Sequence, residues 1–409
     1  MTPADPPTAA AAVAATAAGP GSATAKLGLA AILGSTFFAL VAHFMLSPLL
    51  LLRMKGADVS STVAGLFAAA GWLGIFVMTP FASAVSHRLG PRVAMWVASA
   101  AVSASAVGFA FTQDLRVWFG LNFVSGLAMA LRWVLTEALI AEFCPPHQRG
   151  RYVGFFQTLV SSTFIAGPAA LVWVGPDNPY TLWIVMGLSL FGLAWTALIP
   201  PIPVAHDVHT ATTGWRGLAQ ALWAYPIIML AGLIGGFFET GVTGILPLYG
   251  LELGLSPAHA ALLVSASGIG GVAIMLPAGM VADQFKDRAR GRQVLMVGCA
   301  ATMLLATCTM PWVAGTVWLA WPLVFLWGGA GGTLYTLAMI DIGAREKGIT
   351  LVNSTAVLVL AYTLGGLLAS GLSGALLDWS PRLGFPAVLI AVALLGLVAL
   401  LRAHGVRRP

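Results

Sequence analysis

The sequence is poor in charge. Only 8% of its 409 residues are Asp, Glu, Lys or Arg, against about 25% in soluble domains. A soluble chain of this length would lack the polar surface needed to cover its core. Cysteine is scarce too. Cys144, Cys299 and Cys308 have no metal-ligand spacing, so neither a disulfide framework nor a cluster is expected. There is no Gly-x4-Gly-Lys phosphate loop, no His-Glu-x2-His pair and no Gly-x-Ser-x-Gly elbow. ATP-driven pumping and hydrolysis therefore have no visible machinery, and no catalytic residue, metal ligand or cofactor is assigned. Gly268-x-Gly270-x2-Ala273 only superficially resembles a dinucleotide fingerprint, because it lies inside a hydrophobic span with no strand before it.

What the chain has instead is hydrophobic length: 59% of its residues are apolar. A bilayer core takes roughly 20 mostly apolar residues per helix. Spans are expected near 27–50, 59–85, 92–112, 116–141, 152–174, 180–200, 224–249, 256–282, 293–312, 315–341, 349–376 and 384–402. Residues 1–25, rich in Ala, Pro, Thr and Gly, form a tail expected to be disordered. Residues 26–200 form one half and 223–409 the other. A polar linker, 201–222, lies between them, and Trp215 to Trp223 could form a short interfacial helix. The class expected is an all-α polytopic membrane protein.

The net charge of +6 does not imply a nucleic-acid partner, since the basic residues punctuate apolar runs rather than line one face. Fifteen of the 20 Lys and Arg residues fall on one side of the expected topology. The positive-inside rule makes that side cytoplasmic, with both termini on it.

The halves repeat. Gly71, Gly74, Met78 and Pro80 recur as Gly268, Gly271, Met275 and Pro277 at a constant offset. Phe123-Val124-Ser125-Gly126 is echoed by Phe325-Leu326-Trp327-Gly328. Parallel repeats of this kind place a binding site between them, near the midplane. Gly232-x3-Gly236 and Gly328-x3-Gly332 are read as close helix packing.

These features resemble the major facilitator superfamily, over everything after the N-terminal tail. That family has basic loops after spans 2 and 8. The second copy begins Gly279-Met280-Val281-Ala282-Asp283 and continues with Lys286, Arg288, Arg290 and Arg292. The first keeps Arg88, Gly90 and Arg92, with Ser83, His87 and Pro91 replacing the usual Gly, Asp and Arg. Glu137-x7-Pro145-x3-Arg149-Gly150-Arg151-x2-Gly154 with Gly167-Pro168 is similar to the bacterial YcaD-type branch, as are Glu239 with Pro247 and Tyr249, and Gly332-x2-Tyr335-Thr336. The Gly-Pro of span 5 is also similar to the antiporter motif of drug exporters, although Thr163 stands where that motif has Gly. The resemblance implies two six-helix halves, with spans 1, 4, 7 and 10 lining a central cavity.

Ionisable groups inside a span cost several kcal/mol unless paired or hydrated, so each is a functional candidate. His43, Arg132, Glu137 and Glu239 fall on spans 1, 4 and 7. Arg132 is expected to bind an anionic group of the substrate, with a fixed bridge to a carboxylate such as Glu239 as the structural alternative. Tyr335, Thr336 and Asn122 would join it at the substrate. Glu239 is the first candidate for the coupling proton, with His43 and Glu137 as further ones. A packed neutral His43, and Glu137 paired with Arg149 or Arg151, are the competing readings. Arg88, Arg92, Arg149, Arg151, Asp283 and Asp341 would form a cytoplasmic gate.

The function expected is a monomeric secondary transporter in the bacterial inner membrane, with protons and a small organic solute, anionic if Arg132 binds it, as partners. The alternative is a proton-driven exporter of drugs or metabolites. A receptor on the same fold comes last, and an enzyme is not expected.

Overall fold

A computed structural model describes residues 22–144, 149–201, 222–313, 315–345 and 348–406. Most of the expected interfacial helix, of the linker and of the tail lies outside these residues. Among them, twelve rods run back and forth. Span 1 is Ser22–Gly56, span 2 is Ser61–Met78 continued by Ala82–Leu89, span 3 is Pro91–Phe111, and span 4 is Leu115–Phe143. Span 5 is Arg149–Val174 and span 6 is Thr181–Ala197. Span 7 is Pro226–Gly236 continued by Val242–Glu252. Spans 8 to 12 are Pro257–Gln284, Arg288–Val313, Val317–Arg345, Gly348–Trp379 and Gly384–Val406. Nine of the described helices are long and apolar enough to cross a bilayer, or ten with the broken span 7. Two shorter apolar helices, Thr158–Val174 and Thr181–Ala197, belong to spans 5 and 6. Residues 22–25, expected in the tail, are helical and open span 1.

The end of the bundle nearest the first and last described residues is called here the terminal side, and the other the distal side. Four tryptophans at distal helix ends stand out from the surface: Trp173 is 89% exposed, Trp312 76%, Trp318 83% and Trp379 75%. Such a ring is the aromatic belt of a membrane interface.

The repeat has a packing cause. Spans 2 and 4 touch through Gly126, whose Cβ would lie 2.0 Å from the Gly71 carbonyl oxygen. Spans 8 and 10 touch in the same way, with a Cβ on Gly328 falling 2.2 Å from the Ser267 carbonyl oxygen. Each half thus repeats one backbone-to-backbone contact, of the kind that drives helix association in lipid. Both second helices of the halves are also capped alike, Ser60 accepting from the Val63 amide and Ser256 from that of His259. Gly126→Val is expected to destabilise the N-terminal half by about 3 kcal/mol, read as loss of the monodisperse peak in detergent. The clash is with backbone, which cannot swing aside.

The halves meet through span 2 against span 11 and span 5 against span 8. Among the described residues, one group of polar contacts between the halves is distal. Asp378 of span 11 accepts from the Ser61 amide at 2.8 Å, the Thr62 amide at 2.7 Å and the Thr62 hydroxyl at 2.6 Å, all at the start of span 2. Gly65 and Gly374 let those helices touch just below. Lys55 of span 1 pairs with Glu252 of span 7. Their separation of 197 residues equals the repeat offset, so this pair straddles the pseudo-dyad.

Candidate functional site

Span 7 is not a continuous α-helix. Phe237–Gly241 forms a π-turn, and the helix bends by 42° there. Such turns recur at functional sites because they free backbone groups and re-aim a side chain. Here the turn carries Glu239. Its Oε2 accepts a hydrogen bond of 3.1 Å from the Tyr362 hydroxyl of span 11. The carboxylate also lies over Gly332 of span 10, where a Cβ would stand 3.1 Å from Oε1. Gly332 therefore serves the carboxylate as well as helix packing. The Tyr335 ring packs on Tyr362 with centroids 4.6 Å apart.

A small crevice adjoins Glu239. Ser161 and Phe164 of span 5 line it from the N-terminal half, and Ser267, Gly268, Gly271 and Gly328 from the C-terminal half. Glu137 approaches from span 4. Its side chain is hydrogen-bonded by Trp133 one turn back and lies close enough to act electrostatically on Tyr335 together with Glu239. Glu137, Glu239 and Tyr335, all expected at the site from sequence, thus converge across the halves.

Arg132 goes elsewhere. It is 4% exposed and points into the N-terminal half. It donates to the Ser99 hydroxyl and, at 3.2 Å each, to the carbonyl and hydroxyl oxygens of Ser35. Thr196 completes this knot, 2.6 Å from Ser35 and 3.1 Å from Ser99. The guanidinium ties span 4 to spans 1 and 3, with span 6 behind. No carboxylate is within ion-pair distance of it among the described residues. Arg132→Lys keeps the charge but loses the forked donors. It is expected to lower the melting temperature by several degrees while leaving solute affinity unaltered. Unchanged stability with lost affinity would instead put Arg132 in the solute site.

His43 also faces into the N-terminal half, lining a second cavity with Ser105, Ser125 and Ser189. Asn122 donates to the Phe67 carbonyl of span 2 at 2.6 Å and packs on Gly71, so it clamps spans 2 and 4. The Thr336 hydroxyl bonds its own helix at the Gly332 carbonyl, 2.9 Å away.

The expected gate residues do not all come together. Asp341 is buried and accepts from Arg292 and Arg345, at 2.9 and 2.8 Å. Both partners belong to its own half. Arg88 is exposed, and the Arg92 Nε is buried without a hydrogen-bond partner among the described residues. The side chains of Arg149, Arg151 and Asp283 lie outside what is described. Tyr362 and Asp378 were not singled out by the sequence, because attention to charged groups on spans 1, 4, 7 and 10 passes over span 11. A phenol inside an apolar span was the available signal.

Comparison with known proteins agrees with this architecture. The model of the Major Facilitator Superfamily matches residues 32–355. The MFS-type transporter YcaD of Salmonella paratyphi A is 25% identical over 370 residues, 88% of this chain and 92% of its own. The MFS-type transporter YfkF of Bacillus subtilis is 25% identical over 301 residues, 72% of this chain and 74% of its own. Among solved structures, the nucleoside transporter NupG superposes with a TM-score of 0.74 at 14% identity, covering 94% of this chain and all of its own. A D-xylose-proton symporter does so at 0.68 and 17%, covering 93% of this chain and 96% of its own. The twelve rods, the repeated halves and the family match have one conclusion: the chain belongs to the Major Facilitator Superfamily, as a multi-pass membrane transporter and not an enzyme.

Proposed function

We propose that this protein is a proton-coupled secondary transporter that moves a small organic solute across the bacterial inner membrane as a monomer, with both termini in the cytoplasm. The observation that carries the reading is the Glu239 carboxylate, set on a broken helix beside a cavity between the halves. An ionised carboxylate inside the membrane costs about 2.5–3.5 kcal/mol even on the lower scales, so it favours a bound proton or an arriving cation. Rocking of the halves changes its access to water, and with that its protonation. Glu239 takes the coupling proton, Tyr362 orients it, and Glu137 and Tyr335 meet the solute. His43 keeps a secondary part through the largely apolar cavity of its half, which Ser105, Ser125 and Ser189 also line.

The contacts of Arg132 favour a fixed structural charge, so the reading for an anionic solute loses its principal support. The partners of Asp341, all within one half, fit a terminal side on which the halves are apart, and the sealed contacts are distal.

Reconstitution into proteoliposomes with a trapped pH dye tests the proposal. Addition of organic acids, amino acids, sugars and amines in turn should reveal a solute whose entry moves protons, with a response that disappears once the membrane is made proton-permeable. Tight binding without any flux would make the protein a receptor instead.

A further inference from the structure

We infer that the central site selects organic cations, meaning protonated or quaternary amines with an apolar or aromatic body. The inference rests on the transport reading above and adds the charge sign of the solute. Two carboxylates from different halves lie near Tyr335, Glu137 on span 4 and Glu239 on span 7, and Glu239 lines the crevice between the halves. Among the described residues, no Lys, Arg or His lies within ion-pair distance of either. The cation on the same helix as Glu137, Arg132, is spent inside its own half on Ser35 and Ser99. Among the described residues, the central space therefore keeps two acidic groups without a basic partner.

The surrounding groups favour the same solute. Tyr335 and Tyr362 pack together beside Glu239. Trp133 sits beside Glu137. Trp72 of span 2 covers Gly366, one turn from Tyr362 on span 11, at 2.8 Å from a Cβ placed there. Aromatic faces attract cations by their quadrupole and attract anions poorly, and the attraction grows when water is excluded. An amine between these rings meets a carboxylate from each half. A carboxylate or phosphate solute in the same place meets two like charges and no donor fork.

The charge sign also suits coupling. An arriving cation and a proton compete for Glu239, so each can displace the other without leaving an unpaired charge in the membrane. Glu137 then serves as the anchor that the solute uses while Glu239 changes protonation. The acidic groups that act on Tyr335 are Glu137 and Glu239 alone among the described residues.

Matched ions of opposite charge provide the test. Purified full-length protein is titrated with tetraphenylphosphonium against tetraphenylborate, and with phenethylamine against phenylacetate, with affinity read by calorimetry. The cation of at least one pair should bind at least tenfold more tightly than its anion. Glu137→Gln should remove most of that preference, and Glu137→Asp, which keeps the charge, should retain it. Equal or tighter binding of the anions, or no binding by any of the four, overturns the inference. So does a preference that survives Glu137→Gln. Binding is measured without flux, so the two readings fail separately. A cation that binds but is never carried in proteoliposomes refutes transport and leaves the charge selection standing.

Discussion

Replacing Glu239 by Gln will uncouple transport from the proton gradient. The substitution is nearly isosteric, and the amide oxygen can still accept from Tyr362, which donates to Oε2 at 3.1 Å in the native protein. The π-turn and the contact over Gly332 therefore survive. What is lost is the exchange of a proton. In proteoliposomes the rate of solute accumulation under an imposed pH gradient should fall by about a hundredfold, or about 2.7 kcal/mol. Exchange of labelled for unlabelled solute, which needs no net proton movement, should continue within a few fold. Loss of both would make Glu239 a solute ligand only, and retention of both would remove it from coupling. Gly332→Ala offers an independent approach to the same group. Its new methyl meets the Met275 sulfur at 2.7 Å and the carboxylate at 3.1 Å; the flexible thioether can swing aside and the carboxylate is then crowded, so accumulation should fall while the protein stays folded.

Replacing Asp378 by Ala will open the distal side. Two of its three hydrogen bonds come from the Ser61 and Thr62 amides that begin span 2, and the third from the Thr62 hydroxyl. There they complement unpaired N–H groups and the positive end of the helix dipole. Hydrogen bonds to a charged group are worth about 1.5–3 kcal/mol in protected sites. Asp378 is exposed, so the lower figure applies, and the population with the distal side open should rise roughly tenfold. The neighbouring Lys55–Glu252 pair is partly exposed, and such pairs are worth about 0.2–1 kcal/mol. Lys55→Met should therefore have a much smaller effect. Ala68→Cys, in an otherwise cysteine-free background, reports the opening, because Ala68 of span 2 faces Gly244 of span 7 across the halves. Labelling by a membrane-impermeant maleimide from the distal side should accelerate about tenfold with Asp378→Ala. No acceleration would mean that the glycine-lined contact of spans 2 and 11 holds the closure alone.

The parts legible in the sequence are those set by repetition or composition. Gly71 and Gly126 could be found because they recur as Gly268 and Gly328 in the other half, where Gly328 makes the equivalent close contact one residue away, with the Ser267 carbonyl. The span count followed from apolar length, although Pro80 breaks span 2 with a short 3-10 turn that hydropathy does not register. Glu239 was found because charge is rare in an apolar helix, but the π-turn that aims it depends on packing against spans 10 and 11. Arg132 shows the limit most clearly. Helical spacing separates it from Glu137 around span 4, yet it does not say which of the two faces the other half. The direction is decided by Ser35, Ser99 and Thr196, which lie on three other helices. Asp378 was invisible for the same reason, since its partners are 317 and 316 residues away.

The most direct test of a transporter that rocks about a protonatable Glu239 measures the distal opening while the proton concentration changes. Spin labels at Gln113 and Thr316 occupy distal loops of opposite halves. Their distance distribution can be recorded in lipid nanodiscs from about pH 5 to about pH 9, a range wide enough to titrate a carboxylate in the membrane. In the otherwise native protein the short and long populations should exchange weight across this range. With Glu239→Gln the distribution should stay fixed. A distribution that ignores pH, or one that shifts equally in the variant, would contradict the account.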